Sequence, residues 1–227
     1  MRAKKGLWKE LPVLILKMIL VISPLWMGLP ASSLAQTVQT QVNSYSKTFE
    51  AALRFTLFVE GGYSNHPADL GGKTYRGILQ VNYDNYRRQK FLPVRDVRQI
   101  ENAEIWEIYY GYWKASRAES MQPVLAITMF DTAVNFGPAG AVKFLQQVLI
   151  VPKTGSFNDG TVVSLASQNQ EDVAKKLIEA RMQYRYKRVQ ENPSQKVFLQ
   201  GWLNRDYYLW SYVNWYQQQL QQSAQKR

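Results

Sequence analysis

The chain has 227 residues, of which 46% are hydrophobic and 13% aromatic, and it carries a formal net charge of +11. This length and hydrophobic content are sufficient for one core and at most a small second unit. The absence of cysteine and the single histidine exclude disulfides, thiol catalysis and metal sites built from cysteines or several histidines. We therefore expect no metal and no cofactor.

The N-terminal segment has the pattern of a secretory signal peptide. A basic start is followed by a short apolar run at residues 18–29. Ser33 and Ala35 are small residues at the two positions before the cleavage site that a signal peptidase recognises. Lys17 interrupts the apolar stretch, which leaves fewer than about 18 consecutive apolar residues for a membrane span. We predict a signal peptide at residues 1–35; an uncleaved membrane anchor is the alternative.

The charge of the remaining chain bears on its partners. Cleavage after Ala35 would remove five basic residues and one acidic residue, which leaves a net charge of about +7. A basic exported protein is attracted to polyanions. The basic residues are dispersed and no nucleic-acid motif is visible, so nucleic acid is not an expected partner. We expect an exported protein without a stable membrane span once the signal has been removed.

The first helix after a polar linker at residues 36–45 is predicted to end at a carboxylate. Phe49, Leu53, Leu57 and Glu60 are spaced by four, four and three residues and share one helical face, and a glycine pair follows at once. Partial burial and the negative end of the helix dipole would both favour the protonated form of Glu60. A carboxyl group that keeps its proton suits a general acid, which glycoside hydrolysis needs more often than other reaction classes.

Residues 63–78 are rich in turn formers and predict a loop and a short hairpin that could fold back over Glu60. This segment contains Asp69 and Thr74. An acid, a second carboxylate and a hydroxyl can therefore converge on one cleft. Asp69 could instead cap a turn, and Thr74 could be an ordinary strand residue.

The rest of the chain is predicted to be mainly helical. Residues 124–136 are apolar on nearly every side, which indicates a buried central helix. Gly137 is expected to end this helix, Pro138 suits the first turn of the next, and residues 150–160 form the clearest break. Other helices are predicted at about residues 82–90, 102–114, 161–167, 171–191, 195–201 and 204–222.

The motif around Glu60 resembles a known family. Glu60-Gly-Gly-Tyr is followed at residues 65–78 by Asn-x-Pro-x-Asp-x-Gly-Gly-x-Thr-x-x-Gly-Ile, which is similar to the N-terminal signature of glycoside hydrolase family 108. Members of that family are lysozyme-like N-acetylmuramidases that act on peptidoglycan. The resemblance continues at residues 109–113, 130–138 and 201–205. It implies a mainly α, lysozyme-like fold with a short β-hairpin, a C-terminal helical subdomain and Glu60 as the general acid.

The resemblance also implies roles for two further residues. The order Glu, Asp, Thr is similar to the catalytic trio of phage-type lysozymes, which implies catalytic roles for Asp69 and Thr74. His66 stands where the family commonly has aspartate and Leu70 where it commonly has proline, so the shape of the loop is expected to differ.

Three further side chains are candidates for substrate contact. Tyr63 and Tyr75 lie on the predicted loop, where their rings could stack on sugars. Asp131 and Asn135 are four residues apart on the central helix and are expected to form a buried polar pair that needs partners. Either the pair stabilises the core, or Asn135 presents its amide to a substrate acetamido group. Arg205 is expected, with Trp202, to anchor the C-terminal helices.

The resemblance implies a lysozyme-like catalytic domain at residues 46–137 and a C-terminal helical region at 138–227. Residues 139–186 resemble a small peptidoglycan-binding unit; alternatively, these helices simply complete one bundle. The predicted function is hydrolysis of the MurNAc–GlcNAc β-1,4 bond in peptidoglycan glycan strands, in the periplasm, cell wall or extracellular medium. The alternatives are a chitinase or chitosanase, or a non-catalytic protein that binds the cell wall or assists secretion.

Overall fold

A computed structural model describes residues 46–65 and 72–226 as a mainly helical protein with one short hairpin. Short 3-10 turns lie at Val97–Gln99, Ala118–Ser120 and Pro193–Gln195. The helices and strands are, in chain order, α1 Lys47–Val59, β1 Thr74–Tyr75, β2 Ile78–Leu79, α2 Gln80–Gln89, α3 Asn102–Ala115, α4 Pro123–Val148, α5 Asp159–Ala166, α6 Gln170–Glu191 and α7 Lys196–Gln225. The predicted fold class, mainly α with a hairpin after the first helix, is confirmed.

Helix α1 ends where its sequence predicts. Ser46 caps the N-terminus by accepting a hydrogen bond from the backbone N–H of Phe49 at 3.1 Å. Phe49 and Leu53 are buried, and the helix stops at Glu60, whose backbone is extended (φ −73°, ψ 135°) while its N–H still donates to the carbonyl of Thr56. The end of α1 therefore fixes the position of the Glu60 side chain.

The hairpin follows α1 as predicted. Thr74 pairs with Leu79 and Tyr75 with Ile78 in an antiparallel ladder. The two turn residues between the strands, Arg76 (φ 50°) and Gly77 (φ 76°), both have positive φ, which is the geometry of a two-residue hairpin turn. The chain turns back at this point toward the end of α1.

Helix α4 is the centre of the fold. Residues 124–133 are all buried, and α4 packs against α1, α3, α6 and α7. Gly137 adopts a non-helical conformation (φ 73°, ψ 159°) that interrupts the helix, and Pro138 begins its second part. The predicted buried helix and its predicted end at Gly137 are both confirmed.

Helix α7 differs from its prediction. The sequence predicts a short helix at residues 195–201 and a separate one at 204–222, whereas the structure has one continuous helix, Lys196–Gln225. A glycine inside a helix costs about 1 kcal/mol relative to alanine, but burial of Leu203, Leu209 and Val213 outweighs the cost at Gly201. The hydroxyl of Tyr212 also donates to the carbonyl of Ala51 at 2.8 Å, which joins α7 to α1.

Some predictions concern segments that the structure does not describe. The predicted signal peptide at residues 1–35 and linker at 36–45 lie outside the described residues. Within the described part of the chain, no helix combines the length and the apolar character that a membrane crossing requires. The division into a catalytic domain at 46–137 and a C-terminal region at 138–227 stays a prediction.

The core contains a cluster of aromatic rings around Phe49. This buried ring lies 5.9 Å from Trp106, 5.1 Å from Tyr110, 5.5 Å from Trp113 and 5.8 Å from Phe130, measured between ring centroids. All four contacts are edge-on, an arrangement that aromatic pairs favour. The cluster joins the first turn of α1 to α3 and α4.

Replacing Phe49 by alanine is expected to lower the free energy of unfolding by about 3–5 kcal/mol, because it leaves a cavity between three helices. Phe91→Ala is the matched control: Phe91 is 96% exposed, and its truncation should change stability by less than about 0.5 kcal/mol. Urea unfolding followed by circular dichroism measures both. Equal losses in the two variants would contradict this account of the core.

Candidate active site

The carboxyl group of Glu60 lies at the end of α1 in a half-buried position. Its side chain is 20% exposed, and its Oε1 accepts a hydrogen bond from Nη1 of Arg205 at 2.6 Å. Arg205 belongs to α7 and is 145 residues away in sequence. The two side chains form an ion pair with one edge open to solvent.

Arg205 has a second carboxylate partner. Its Nη2 lies 2.6 Å from Oδ1 of Asp131, whose side chain is fully buried in α4. The other oxygen of Asp131 lies 2.9 Å from Nη1 of Arg181 on α6, and Arg181 Nη2 lies 2.6 Å from Oδ1 of Asp206. The chain of charges therefore runs from the surface at Glu60 into the core.

The chain of charges ends at a third guanidinium. Arg185, one turn after Arg181 on α6, binds both oxygens of Asp206 through Nε and Nη2. The network thus contains three carboxyl groups and three guanidiniums in alternation, so each buried charge has a partner of opposite sign. This balance matters because an unpaired charge in a protein interior is strongly destabilising.

The network changes the acidity of its buried members. Burial by itself raises the pKa of Asp131, but the positive charges of Arg205 and Arg181 and their hydrogen bonds outweigh burial and hold that pKa below its usual range. Burial lowers the pKa of Arg205, whereas the charges of Asp131 and Glu60 raise it to a value above its usual range. Asp131 is consequently ionised at neutral pH and serves Arg205 as a permanent counter-ion.

The hairpin turn packs closely against the side chain of Glu60. A Cβ atom added to Gly77 would lie 2.6 Å from Cδ of Glu60 and 2.6 Å from the hydroxyl of Tyr109. Tyr109 donates that hydroxyl to the carbonyl of Arg76 at 2.7 Å and so holds the turn in place. Burial, and then the negative charge of Glu60, raise the pKa of Tyr109 above its usual range, so Tyr109 remains a neutral donor.

The hairpin positions two of the predicted site residues. The backbone of Thr74 pairs with that of Ser64, a residue that follows Glu60 by four positions. The hydroxyl of Thr74 donates a hydrogen bond to the carbonyl of Gly72 at 3.3 Å. Tyr75 is half-buried against the core, with the guanidinium of Arg76 5.5 Å from its ring. The backbone ladder thus joins the segment just after Glu60 to the strand that carries Thr74.

The two remaining aromatic and amide candidates are exposed. Tyr63 is 41% exposed, and the guanidinium of Arg98 lies 5.0 Å from its ring. Asn135 is also exposed, and its side-chain nitrogen donates to the backbone carbonyl of Asp131 at 3.1 Å. The expectation that Asp131 and Asn135 form a buried pair is therefore wrong for Asn135, because the helix reaches the surface just before the Gly137 interruption.

Two residues of the predicted loop, His66 and the candidate Asp69, lie outside the described residues. The role of Asp69 stays a prediction.

Sequence reasoning missed the most direct partner of Glu60. Arg205 was expected to anchor the C-terminal helices, and it does bind Asp131, but its contact with Glu60 was not foreseen. The usable signal was Asp131 itself, since a carboxylate on a helix that is apolar on nearly every side requires a cation from another element.

The buried network predicts how stability depends on pH. Because the pKa of Asp131 is lower in the folded state, its stabilisation is present above the unfolded pKa of about 3.9 and is lost as pH falls through the folded pKa. Asp131→Asn should lower the free energy of unfolding at pH 7 by about 3–5 kcal/mol, since it leaves the guanidiniums without their counter-ion.

Urea unfolding at pH 7 and pH 3 tests this expectation, with the exposed Asp159→Asn as the control. The difference between wild type and Asp131→Asn should be smaller at pH 3, whereas the control should differ from wild type by less than about 1 kcal/mol at both pH values. A difference for Asp131→Asn that does not change with pH would exclude the proposed linkage.

Comparison with known proteins identifies the segment that contains this site. Residues 53–137 match the family described as Glycosyl hydrolase 108. The matched segment includes Glu60, the described hairpin and Asp131, whereas Arg181 and Arg205 lie beyond it. No curated protein matches the chain.

Among solved structures, the chain is similar to one described as "Structure of Brucella abortus SagA". The TM-score is 0.63 and the sequence identity 25%, and the match covers 73% of this chain and 93% of that chain. The shared architecture agrees with the helical, lysozyme-like fold expected from the sequence. Residues 53–137, the segment that contains Glu60, are thus similar to a family of glycoside hydrolases.

Proposed function

We propose that the protein is an exported N-acetylmuramidase that hydrolyses the MurNAc–GlcNAc β-1,4 bond of peptidoglycan. The observation that carries the proposal is the carboxyl group of Glu60, which stands at the end of α1 within the glycosyl hydrolase domain, 20% exposed and facing the backbone of Gly77. A half-buried carboxyl group on rigid structure is suited to deliver a proton to a bound glycosidic oxygen. The high positive charge of the chain favours an acidic polymer as substrate.

In the proposed reaction, Glu60 protonates the oxygen that leaves toward GlcNAc while an oxocarbenium-like transition state forms at the muramyl anomeric carbon. Asp69, with Thr74, would stabilise that transition state or position the attacking water. Tyr63 and Tyr75 would contact sugar rings, and Asn135 an acetamido group of the bound glycan.

Arg205 has a defined part in this proton transfer. Once Glu60 has given up its proton, it is a carboxylate, and the guanidinium 2.6 Å away stabilises that charge. Before the transfer, when Glu60 is protonated, Arg205 is still paired with the buried Asp131 at 2.6 Å. Asp131 therefore allows Glu60 to change its protonation state without leaving Arg205 unpaired.

Glu60→Gln is expected to lower muramidase activity at least about 100-fold, because the amide keeps the shape of the side chain but has no acidic proton to donate. The fold should be retained, since the amide oxygen can still accept the hydrogen bond from Arg205. Glu179→Gln, at an exposed position of α6, is the control and should keep wild-type activity.

The product identifies the reaction. Purified sacculi are digested, reduced with borohydride and analysed by mass spectrometry; a muramidase leaves muropeptides that end in muramitol. Glucosaminitol ends would show a glucosaminidase. Hydrolysis of chitin but not of sacculi would show a chitinase, and unaltered sacculi would indicate a protein that binds the wall without cleaving it. Any of these three results, or Glu60→Gln activity within a few fold of wild type, would refute the proposal.

Gly77→Ala is expected to lower activity more than Gly72→Ala. Both glycines have positive φ, 76° and 71°, so alanine is strained by a similar amount in each. At Gly77 the new Cβ would collide with Glu60 and Tyr109, whereas at Gly72 it would meet no atom of the described residues within 4 Å, apart from its chain neighbours. We expect at least about a tenfold lower kcat for Gly77→Ala, because small displacements of a catalytic group reduce its rate strongly.

The same release of muramitol ends measures both glycine variants, and thermal unfolding checks that each is folded at the assay temperature. Similar activities in the two variants would mean that the contact between Gly77 and Glu60 has no part in positioning the acid.

A further inference from the structure

A second concave site lies beside the proposed active site, between α4, α6 and α7. It has a volume of about 240 Å³, roughly the space of eight water molecules. It is lined by Asn135, Phe136, Tyr184, Arg185, Arg188 and Trp202. None of the roles proposed above for the reaction explains its two arginines and three aromatic rings.

The pocket has one positive charge that the core network does not balance. Arg185 is neutralised by Asp206 through Nε and Nη2. Arg188, one turn further along α6, is exposed, and its side-chain hydrogen bonds to described residues are long, 3.4 Å each to the neutral side chains of Gln195 and Tyr184. Among the described residues no carboxylate forms an ion pair with Arg188, so its guanidinium is available to an acidic ligand.

The rings provide a surface for the body of such a ligand. The guanidiniums of Arg185 and Arg188 each lie 5.8 Å from the ring of Trp202, and Arg185 also lies 5.2 Å from the ring of Phe136. Guanidiniums held against aromatic faces keep a defined orientation and bind carboxylates through paired N–H groups. This combination suits a carboxylate attached to a sugar or an apolar group.

The pocket shares helix α7 with Arg205, the residue that binds Glu60. Trp202 precedes Arg205 by three residues on α7, a rise of about 4.5 Å, and Arg205 is the residue that binds Glu60. On the other side, Asn135 follows Asp131 by one turn of α4 and donates to its carbonyl. The pocket therefore lies within about one helical turn of Arg205 and of Asp131, the residues that hold Glu60 in place.

We propose that this pocket binds a carboxylate of the substrate strand, with Arg188 as the direct ligand and Trp202 as the stacking surface. The inference rests on the proposed function, because it takes peptidoglycan as the substrate. Peptidoglycan offers the required chemistry in two forms, the lactyl carboxyl group of MurNAc when it is free and the carboxylates of the stem peptide. Chitin has neither, so this pocket would select muramyl glycans over neutral ones.

Binding, rather than turnover, tests the proposal. The Glu60→Gln protein, with and without Arg188→Gln, is titrated by calorimetry with three soluble glycan preparations. These are strands that retain stem peptides, strands stripped of stems by an amidase so that only lactyl carboxylates remain, and strands whose carboxyl groups have been amidated chemically. Lys176→Gln in the same background removes one exposed positive charge of α6 outside the pocket and is the matched control.

Arg188→Gln should weaken binding at least about tenfold to the strands that carry the recognised carboxylate, either the stem-bearing or the stripped ones, as expected for loss of a hydrogen bond between charged groups. Lys176→Gln should change it less than about twofold, and neither variant should affect binding to amidated strands. In stem-bearing strands the lactyl carboxyl group forms the amide bond to the stem, so an Arg188 effect on those strands makes a stem carboxylate the ligand, whereas an effect on stripped strands makes the lactyl carboxylate the ligand. Either result supports the proposal.

The proposal is overturned if Arg188→Gln binds both the stem-bearing and the stripped strands as tightly as its parent, if it weakens binding to amidated strands equally, or if the parent binds no strand. Thermal unfolding of each variant checks the fold. The muramidase proposal fails on separate evidence, the absence of muramitol ends from sacculi treated with wild-type protein. Strands that bind through Arg188 but are not cut would therefore reject only the proposed reaction.

Discussion

The position of Glu60 depends on one guanidinium held between two carboxylates. Arg205 binds the half-buried Glu60 on one side and the fully buried Asp131 on the other, each at 2.6 Å. A charge buried as completely as Asp131 is tolerable only with counter-ions, and Arg205 and Arg181 provide them. Because Asp131 fixes Arg205, Arg205 can in turn fix Glu60.

This dependence extends beyond the segment that matches the hydrolase family. Residues 53–137 supply Glu60 and Asp131, whereas both guanidiniums that bind Asp131 come from α6 and α7. The site is therefore assembled by packing helices that are far apart in sequence. The C-terminal helices contribute to the electrostatics of the proposed acid as well as to the hydrophobic core, whatever further binding role they have.

Features that depend on neighbouring residues could be predicted from the sequence. The end of α1 at Glu60 followed from a four, four, three spacing, and the interruption of α4 followed from Gly137 and Pro138, because helix termination is decided within a few residues. The hairpin followed from a run of turn formers. The continuity of α7 through Gly201 did not follow, since burial of side chains several turns away outweighs the local preference.

Features that depend on distant residues could not be predicted in the same way. The local argument that favoured a protonated Glu60 considered the helix dipole and burial, and it took no account of a guanidinium 145 residues away. Asn135 was placed on a buried face because its spacing from Asp131 is helical, but that face reaches the surface one turn later. Periodicity indicates which residues share a face, and only packing decides what covers it.

The continuity of α7 has a consequence for recognition as well as for the fold. A single helix carries Trp202 in the pocket, Arg205 at Glu60 and Asp206 in the core network. Two separate helices joined near residue 203 would allow the pocket and the acid to move relative to each other. In one helix their separation along the axis is fixed by the rise of about 1.5 Å per residue. The spacing between Trp202 in the pocket and the residue that binds Glu60 is then set by helix geometry, and under the proposed function a strand that contacts both sites would be held in a single register.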